Sequence, residues 1–243
     1  MSSINVLMLA SITIAFSHTV IGVDHYLPFI MIGKARKWSK KKVLLITGLC
    51  GIGHVVGSII LGFTGIALGS ALGKLEQIES VRGSFAAWTL VCFGMIYAAW
   101  GMFQIMRGKS HTHEHIHEDG LIHHHEHNHQ DKQHHHIHEK TDVKNSQQNQ
   151  TIWTLFIIFV LGPCEPLIPI LMYPAWEKNW WGLVLVTFSF SVVTITTMLL
   201  MVFAGMFLFD TSKLKNHFIN KYANVIAGLT IAISGLAIQL LGI

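Results

Sequence analysis

Six apolar runs divide the chain, at about 5–31, 43–73, 84–105, 151–172, 181–208 and 222–242. Each reaches the ~20 residues that a helix needs to cross the hydrocarbon of a bilayer. A long polar insertion separates the third run from the fourth. The pattern predicts an all-α polytopic membrane protein of about six spans, with one three-helix transmembrane unit over 1–106, a disordered insertion over 107–150 and a second three-helix unit over 151–243. The prolines refine this. All five lie in or just after two of the runs, Pro28 in the first and Pro163, Pro166, Pro169 and Pro174 in or after the fourth. Proline lacks the amide that would bond the carbonyl four residues back, so Pro28 frees the carbonyl of Asp24 and Pro169 frees that of Glu165. Broken first and fourth helices are therefore expected. Because the first and fourth runs enter from opposite sides, the two units are predicted to be inverted repeats, the arrangement of many secondary transporters. The second and fifth runs add a weak alignment: GHVVGSIILGFTG (53–65) lies over VTITTMLLMVFAG (193–205), which sets His54 opposite Thr194.

Composition agrees with lipid as the main solvent. The chain has 243 residues, 51% hydrophobic and 12% charged, with a mean hydropathy of +0.47, against roughly 25% charged in soluble domains. The net charge of +4 is scattered between apolar runs and forms no continuous basic surface, which excludes a nucleic-acid partner. Its distribution sets a topology instead. Of the seventeen Lys and Arg, fourteen fall in alternate loops, at Lys34 to Lys42, in the insertion, and at Lys213 to Lys221. Cytoplasmic loops are enriched in these residues, so the insertion is expected in the cytoplasm and both termini outside, with a bacterial cytoplasmic membrane the expected location. The first run has no basic flank and continues into an Asp-His pair, which marks a retained span rather than a cleaved leader. Cys50, Cys92 and Cys164 lie inside apolar runs and offer no disulfide framework. Gly53 and Gly57, and Gly65, Gly69 and Gly73, have the small-xxx-small spacing of close helix contacts.

Candidate chemistry stands out against this apolar background. An ionised Asp at a helix centre costs about 2.5–3.5 kcal/mol on insertion scales, so polar groups there are rare unless paired or functional. The first run keeps Ser17, His18, Asp24 and His25, the second keeps His54, and the fourth keeps Cys164 and Glu165. Imidazole, carboxylate and thiol are the groups that bind borderline cations such as nickel, cobalt, zinc and copper. His18 and His25 would lie about 10.5 Å apart along an unbroken helix. Gly22 and the bond missing at Pro28 would let the segment unwind and the imidazoles and Asp24 converge. Glu165 is expected as a ligand or a proton-binding carboxylate. The insertion adds His111, His113, His115, His117, His123, His124, His125, His127, His129, His134, His135, His136 and His138, a compositional signature of many weak metal sites.

At these residues the chain resembles the nickel/cobalt transporter family, in particular its efflux branch with a histidine-rich cytoplasmic loop between the third and fourth spans. His18 with Asp24 and His25, Gly53 with His54, and Pro163 with Cys164 look like that family's motifs. The stretch TVIGV sets His18 one residue further from the Asp-His pair than the family signature does. The resemblance implies export of nickel or cobalt, with zinc or copper as other cargo, and the ion as substrate with no tightly bound cofactor. Protons on Asp24, Glu165 or the histidines would couple transport. No feature points to ATP hydrolysis, so a transporter rather than an enzyme is expected; no oligomeric state is indicated. The fourth run also looks like the PCxxP element of membrane proteins that relay electrons between thiols. Such relays use paired cysteines on the first and fourth spans, and the first run here has none. A sulfite-like anion exporter is a further alternative, disfavoured by the buried Asp24 and Glu165.

Overall fold

The computed structural model describes residues 3–68, 72–107, 111–116, 122–127, 141–162, 164, 166–211 and 221–241. Helix α1 (Ser3–Ile21) is followed by a single 3-10 turn, Val23–His25, and by α2 (Leu27–Ala35); together they make the broken first span. Pro28 stands in the first turn of α2, where its missing amide costs nothing. The break therefore falls just before the proline, at Gly22 to Tyr26. Helix α3 (Lys40–Ala67) starts at an N-cap, Ser39 Oγ accepting from Lys42 N, and α4 (Leu72–Arg107) runs back. The fourth span is broken too, into α5 (Thr141–Leu161) and α6 (Leu167–Trp176), followed by α7 (Trp180–Thr211) and α8 (Ala223–Leu241). Five helices, α1, α3, α4, α7 and α8, are long and apolar enough to cross a membrane. With α5 and α6 sharing the remaining crossing, this is an α-helical polytopic membrane protein in which the first and fourth spans are interrupted.

The packing follows the repeat. α3 lies on α7 and α4 on α8, each pairing a helix with its counterpart in the other unit. Two further sets of contacts are reciprocal: α1 packs on α7 as α5 packs on α3, and α2 packs on α8 as α6 packs on α4. Two apolar clusters fill the interior. One joins Phe29, Ile32, Val43, Leu155, Phe159 and Met198 near the end that carries the insertion, and the other joins Ala15, Cys164, Leu167, Leu171, Leu183 and Phe190 near the opposite end. Many large side chains, Trp181, Phe188 and Ile96 among them, are exposed around the outside, as expected where lipid is the solvent. At the insertion end Arg36 ties four helices together. Its guanidinium donates to Tyr97 Oη (3.0 Å) and Thr151 Oγ1 (3.1 Å) and lies over the Trp100 ring, and Tyr97 Oη donates to Asn224 Oδ1 (3.2 Å).

Two features differ from the pattern in the sequence. The helices run beyond the apolar runs, so α4 begins at Leu72 and α5 at Thr141. Polar residues such as Lys144 and the Gln147 to Gln150 stretch prolong α5 because a helix continues until a breaker stops it. Within the insertion, the backbone of His111–Ile116 (β1) pairs antiparallel with that of Ile122–His127 (β2), His113 opposite His125. Alternation of His with Thr, Glu and Ile gives this segment the two-residue period of a strand, which a reading based on low hydrophobicity alone passes over.

Glycines set the closest helix contacts. A Cβ on Gly94 or Gly228 would strike the backbone of the other helix of the α4–α8 pair, at Ala232 and Ala98 respectively, and one on Gly57 would lie 2.8 Å from the Val160 carbonyl oxygen. Gly53 and Gly65 face the side chains of Val160 and Leu75. Gly73 has nothing within 4 Å, and Gly69 lies outside the described residues. Gly94→Leu is expected to lower the thermal transition sharply or prevent recovery of folded protein, because overpacking against backbone has no rotamer by which to relax. Gly73→Ala should instead be neutral or stabilising by up to about 1 kcal/mol. Thermal unfolding in detergent distinguishes the two.

Candidate functional site

The two breaks meet beside one face of α3. Gly22 and Tyr26 end the regular helical bonding of the first span, and Gly22 N still donates to His18 O (2.9 Å) while His25 N donates back to Gly22 O (3.1 Å). This tight reversal turns His25 inward and brings its ring centroid to 4.8 Å from that of His18 and 5.1 Å from that of His54 on α3. An unbroken helix could not do this, as the spacing of His18 and His25 requires. His25 and His54 are buried and His18 half-buried. The Nδ1–H of His25 donates to Gly22 O (3.0 Å) and Asp24 Oδ1 (3.1 Å), and that of His54 to Phe159 O (3.3 Å). The three Nε2 atoms are buried without a hydrogen-bond partner. A cavity of about 520 Å³ reaches this cluster, lined by Ser17, His18, Asp24, His25, Ser84 and Gln239 among others.

The second break is held by side chains rather than by helix. Between α5 and α6, Gly162 O accepts from Arg82 Nη2 (2.8 Å), and Cys164 N donates to Ser58 Oγ (3.1 Å), which also accepts from Arg82 Nη2 (2.7 Å). Leu167 N returns to Cys164 O (2.9 Å) at the start of α6. Cys164 is fully buried. His54 and Ser58 stand one turn apart on α3, so one helix face serves both breaks. Arg82 is balanced by Glu79, one turn back on α4, at 3.2 Å with the carboxylate almost wholly buried. A second cavity of about 450 Å³, lined by Glu76, Glu79, Ser80, Pro166, Ile168 and Pro169, shares Ser80 and Pro166 with the first.

The site residues expected from sequence thus divide into groups. His18, His25 and His54 come together, with Asp24 on His25. Cys164 lies at the other break, with the backbone of Gly162 beside the His54 ring: a Cβ on Gly162 would be 3.5 Å from His54 Nδ1. Pro163 and Glu165 lie outside the described residues, as do His117, His129, His134, His135, His136 and His138. For His111, His113, His115, His123, His124, His125 and His127 the backbone alone is described. Sequence reasoning missed Arg82, Glu79 and Ser58. Beginning the third span at residue 84 left Arg82 in a loop. The signal was present in Leu75, Glu79 and Arg82, which share a helix face at the i, i+4, i+7 spacing; an ion pair on that face is the form in which an apolar helix carries charge.

Interrupted spans that meet around a polar cluster define the class: an α-helical, polytopic integral membrane protein. The cytochrome c biogenesis protein transmembrane region matches residues 27–237, and the chain belongs to that family. No curated protein and no solved structure matches it. The family match overturns the nickel/cobalt transporter reading, and with it metal export fed by the histidine-rich loop. That resemblance rested on three motifs of a few residues each, at His18 with Asp24 and His25, at Gly53 with His54 and at Pro163 with Cys164. The match instead runs from α2 into α8. Motifs this short do not separate the two families, and the Pro163–Cys164 element also carried the thiol-relay alternative, which the match favours.

Arg82→Met should destabilise the protein by about 3–5 kcal/mol, because it withdraws the guanidinium from a buried carboxylate and from the Gly162 carbonyl. Adding Glu79→Gln should recover part of that loss. Equal stability of Arg82→Met and wild type in thermal or denaturant unfolding would show that the guanidinium does not hold the second break.

Proposed function

We propose that this chain is a membrane thiol–disulfide exchange protein that acts through Cys164. The family to which it belongs supports this reading, and the observation that carries it is the position of Cys164 at the break of the fourth span, where its amide is held by Ser58; the thiol is buried at rest, so exchange requires the break to open. The amide of Cys164 is fixed to Ser58, and the turn lies at the N-terminal end of α6, with the Arg82 guanidinium bonded to the same serine.

The reaction follows from the cysteine inventory. Cys50 lies two turns from Ser58 on α3, about 12 Å along the axis, beyond the ~7 Å Cα separation that a disulfide spans; Cys92 is exposed on α4. The exchange is therefore written between proteins. The Cys164 thiolate attacks a partner's disulfide, forming a mixed disulfide through one partner sulfur and leaving the partner's other sulfur as a thiolate. One thiolate of a second, dithiol partner attacks the first partner's sulfur in that bond and restores Cys164, and the second partner's other thiol then displaces the first partner as a dithiol and closes its own disulfide. Oxidising equivalents pass from one partner to the other with no net change in this chain. In this reading the end bearing the insertion faces the cytoplasm of a bacterial cell, as the Lys and Arg distribution favours, and units 1–106 and 151–243 flank it.

The test is adduct mapping and transfer. Full-length protein incubated with oxidised glutathione should carry a mixed disulfide at Cys164, retained in Cys92→Ser. In vesicles with reductant outside and a disulfide reporter inside, Cys164→Ser should lower transfer at least tenfold. An adduct confined to Cys92, with transfer undiminished in Cys164→Ser, overturns the proposal.

A further inference from the structure

We propose that His18, His25 and His54 form a mononuclear site for a borderline first-row cation of the zinc or copper class, with Asp24 as its counter-charge and orienting group. The inference stands apart from the thiol reading, since no thiol takes part in it. One ligand atom from each of the three rings lies within 4.8 Å of the others. Imidazole ligands around a tetrahedral zinc stand about 3.3 Å apart, given Zn–N bonds near 2.0–2.1 Å, so small ring rotations close the set. Three donors leave a fourth position open, on the side where the cavity meets His18 and His25.

The protonation pattern matches what a metal requires. A ligating histidine donates one ring N–H to a carbonyl or carboxylate and turns the other nitrogen to the ion. His25 donates from Nδ1 to Gly22 O and Asp24 Oδ1, and His54 from Nδ1 to Phe159 O. Each Nε2 is left as a lone-pair donor, buried and without a partner, and the Nε2 of His18 is likewise buried and unpartnered. Leaving three such atoms unbonded in the interior is costly, about 1–3 kcal/mol apiece, and one shared cation would satisfy all three. Imidazole is neutral when it ligates, so the charge of a bound ion would be met by Asp24, which bears on His25 at 3.1 Å.

The backbone is shaped to the same end. A Cβ on Gly22 would come within 2.6 Å of His25 Nδ1 and 3.0 Å of Asp24 Oδ1. Gly22→Ala therefore displaces the orienting pair while removing no donor atom.

The experiment uses the full-length chain with the thirteen insertion histidines, His111 to His138, replaced by Asn, so that weak loop binding does not obscure the count. Cobalt(II), a spectroscopic stand-in for zinc, is titrated into the purified protein in detergent. The expected result is one ion per chain with the intense visible bands of four-coordinate cobalt. His18→Gln and His54→Gln should each weaken binding at least a hundredfold, and Gly22→Ala and Asp24→Asn about tenfold to a hundredfold. His18 is half-buried and keeps its variant foldable, and circular dichroism and gel filtration confirm that each protein compared is folded. Folded parent that retains no ion, or unchanged stoichiometry and affinity in His18→Gln and His54→Gln, overturns the proposal.

Discussion

A peptide group released from a helix inside hydrocarbon has no water to bond, so an interrupted span survives only where other protein atoms take over its hydrogen bonds. This constraint governs the whole molecule. The fourth span opens between Leu161 and Leu167, and its freed groups are met by His54 and Ser58 from α3 and Arg82 from α4. The first span opens at Gly22, and its carbonyl is met by His25 from within the same turn. The polar residues that apolar composition would exclude are thus the ones that allow the spans to break. Close packing of α4 on α8 through Gly94 and Gly228 supplies the rigid wall against which this happens.

The packing explains why the two breaks meet. The first and fourth spans each lie against α3 and α7, which run together between them. The two halves differ at the centre. On α3 the face toward both breaks carries His54 and Ser58; on α7 the aligned position is Thr194, buried. Charge is likewise one-sided, the Glu79–Arg82 pair lying on α4. Such asymmetry gives the two breaks different chemistry, imidazole and carboxylate at one, thiol and guanidinium at the other, about one helical turn apart along α3.

Much of this was legible in the amino-acid order, and for stated reasons. Apolar run length gives the spans, and the concentration of prolines in the first and fourth gives the breaks; of the two residues that marked the first break, Gly22 opens it and Pro28 stands in the first turn of the helix that follows, where a proline is tolerated. The convergence of His18 on His25 follows from their spacing once the helix is known to break. His54 joins them only through tertiary packing, which no local pattern encodes. Arg82 was hidden because a cation inside a span reads as a loop residue until its partner one turn away is counted. Family membership was legible only as the lower-ranked alternative: the Pro-Cys element of the fourth run suggested a thiol relay, but the His motifs and the lack of a cysteine in the first run ranked metal export above it, an order that the match over 27–237 to the cytochrome c biogenesis transmembrane region reverses.

The central claim is that the broken first span folds onto α3 at the level of His54. Its most direct test replaces His25 and His54 by Cys in a chain whose native Cys50, Cys92 and Cys164 are Ser, and treats native membranes with a short bifunctional thiol reagent. Ring centroids 5.1 Å apart predict an intramolecular cross-link between the two new thiols, seen as a single joined peptide pair after digestion. Labelling of both thiols without any cross-link would contradict the account.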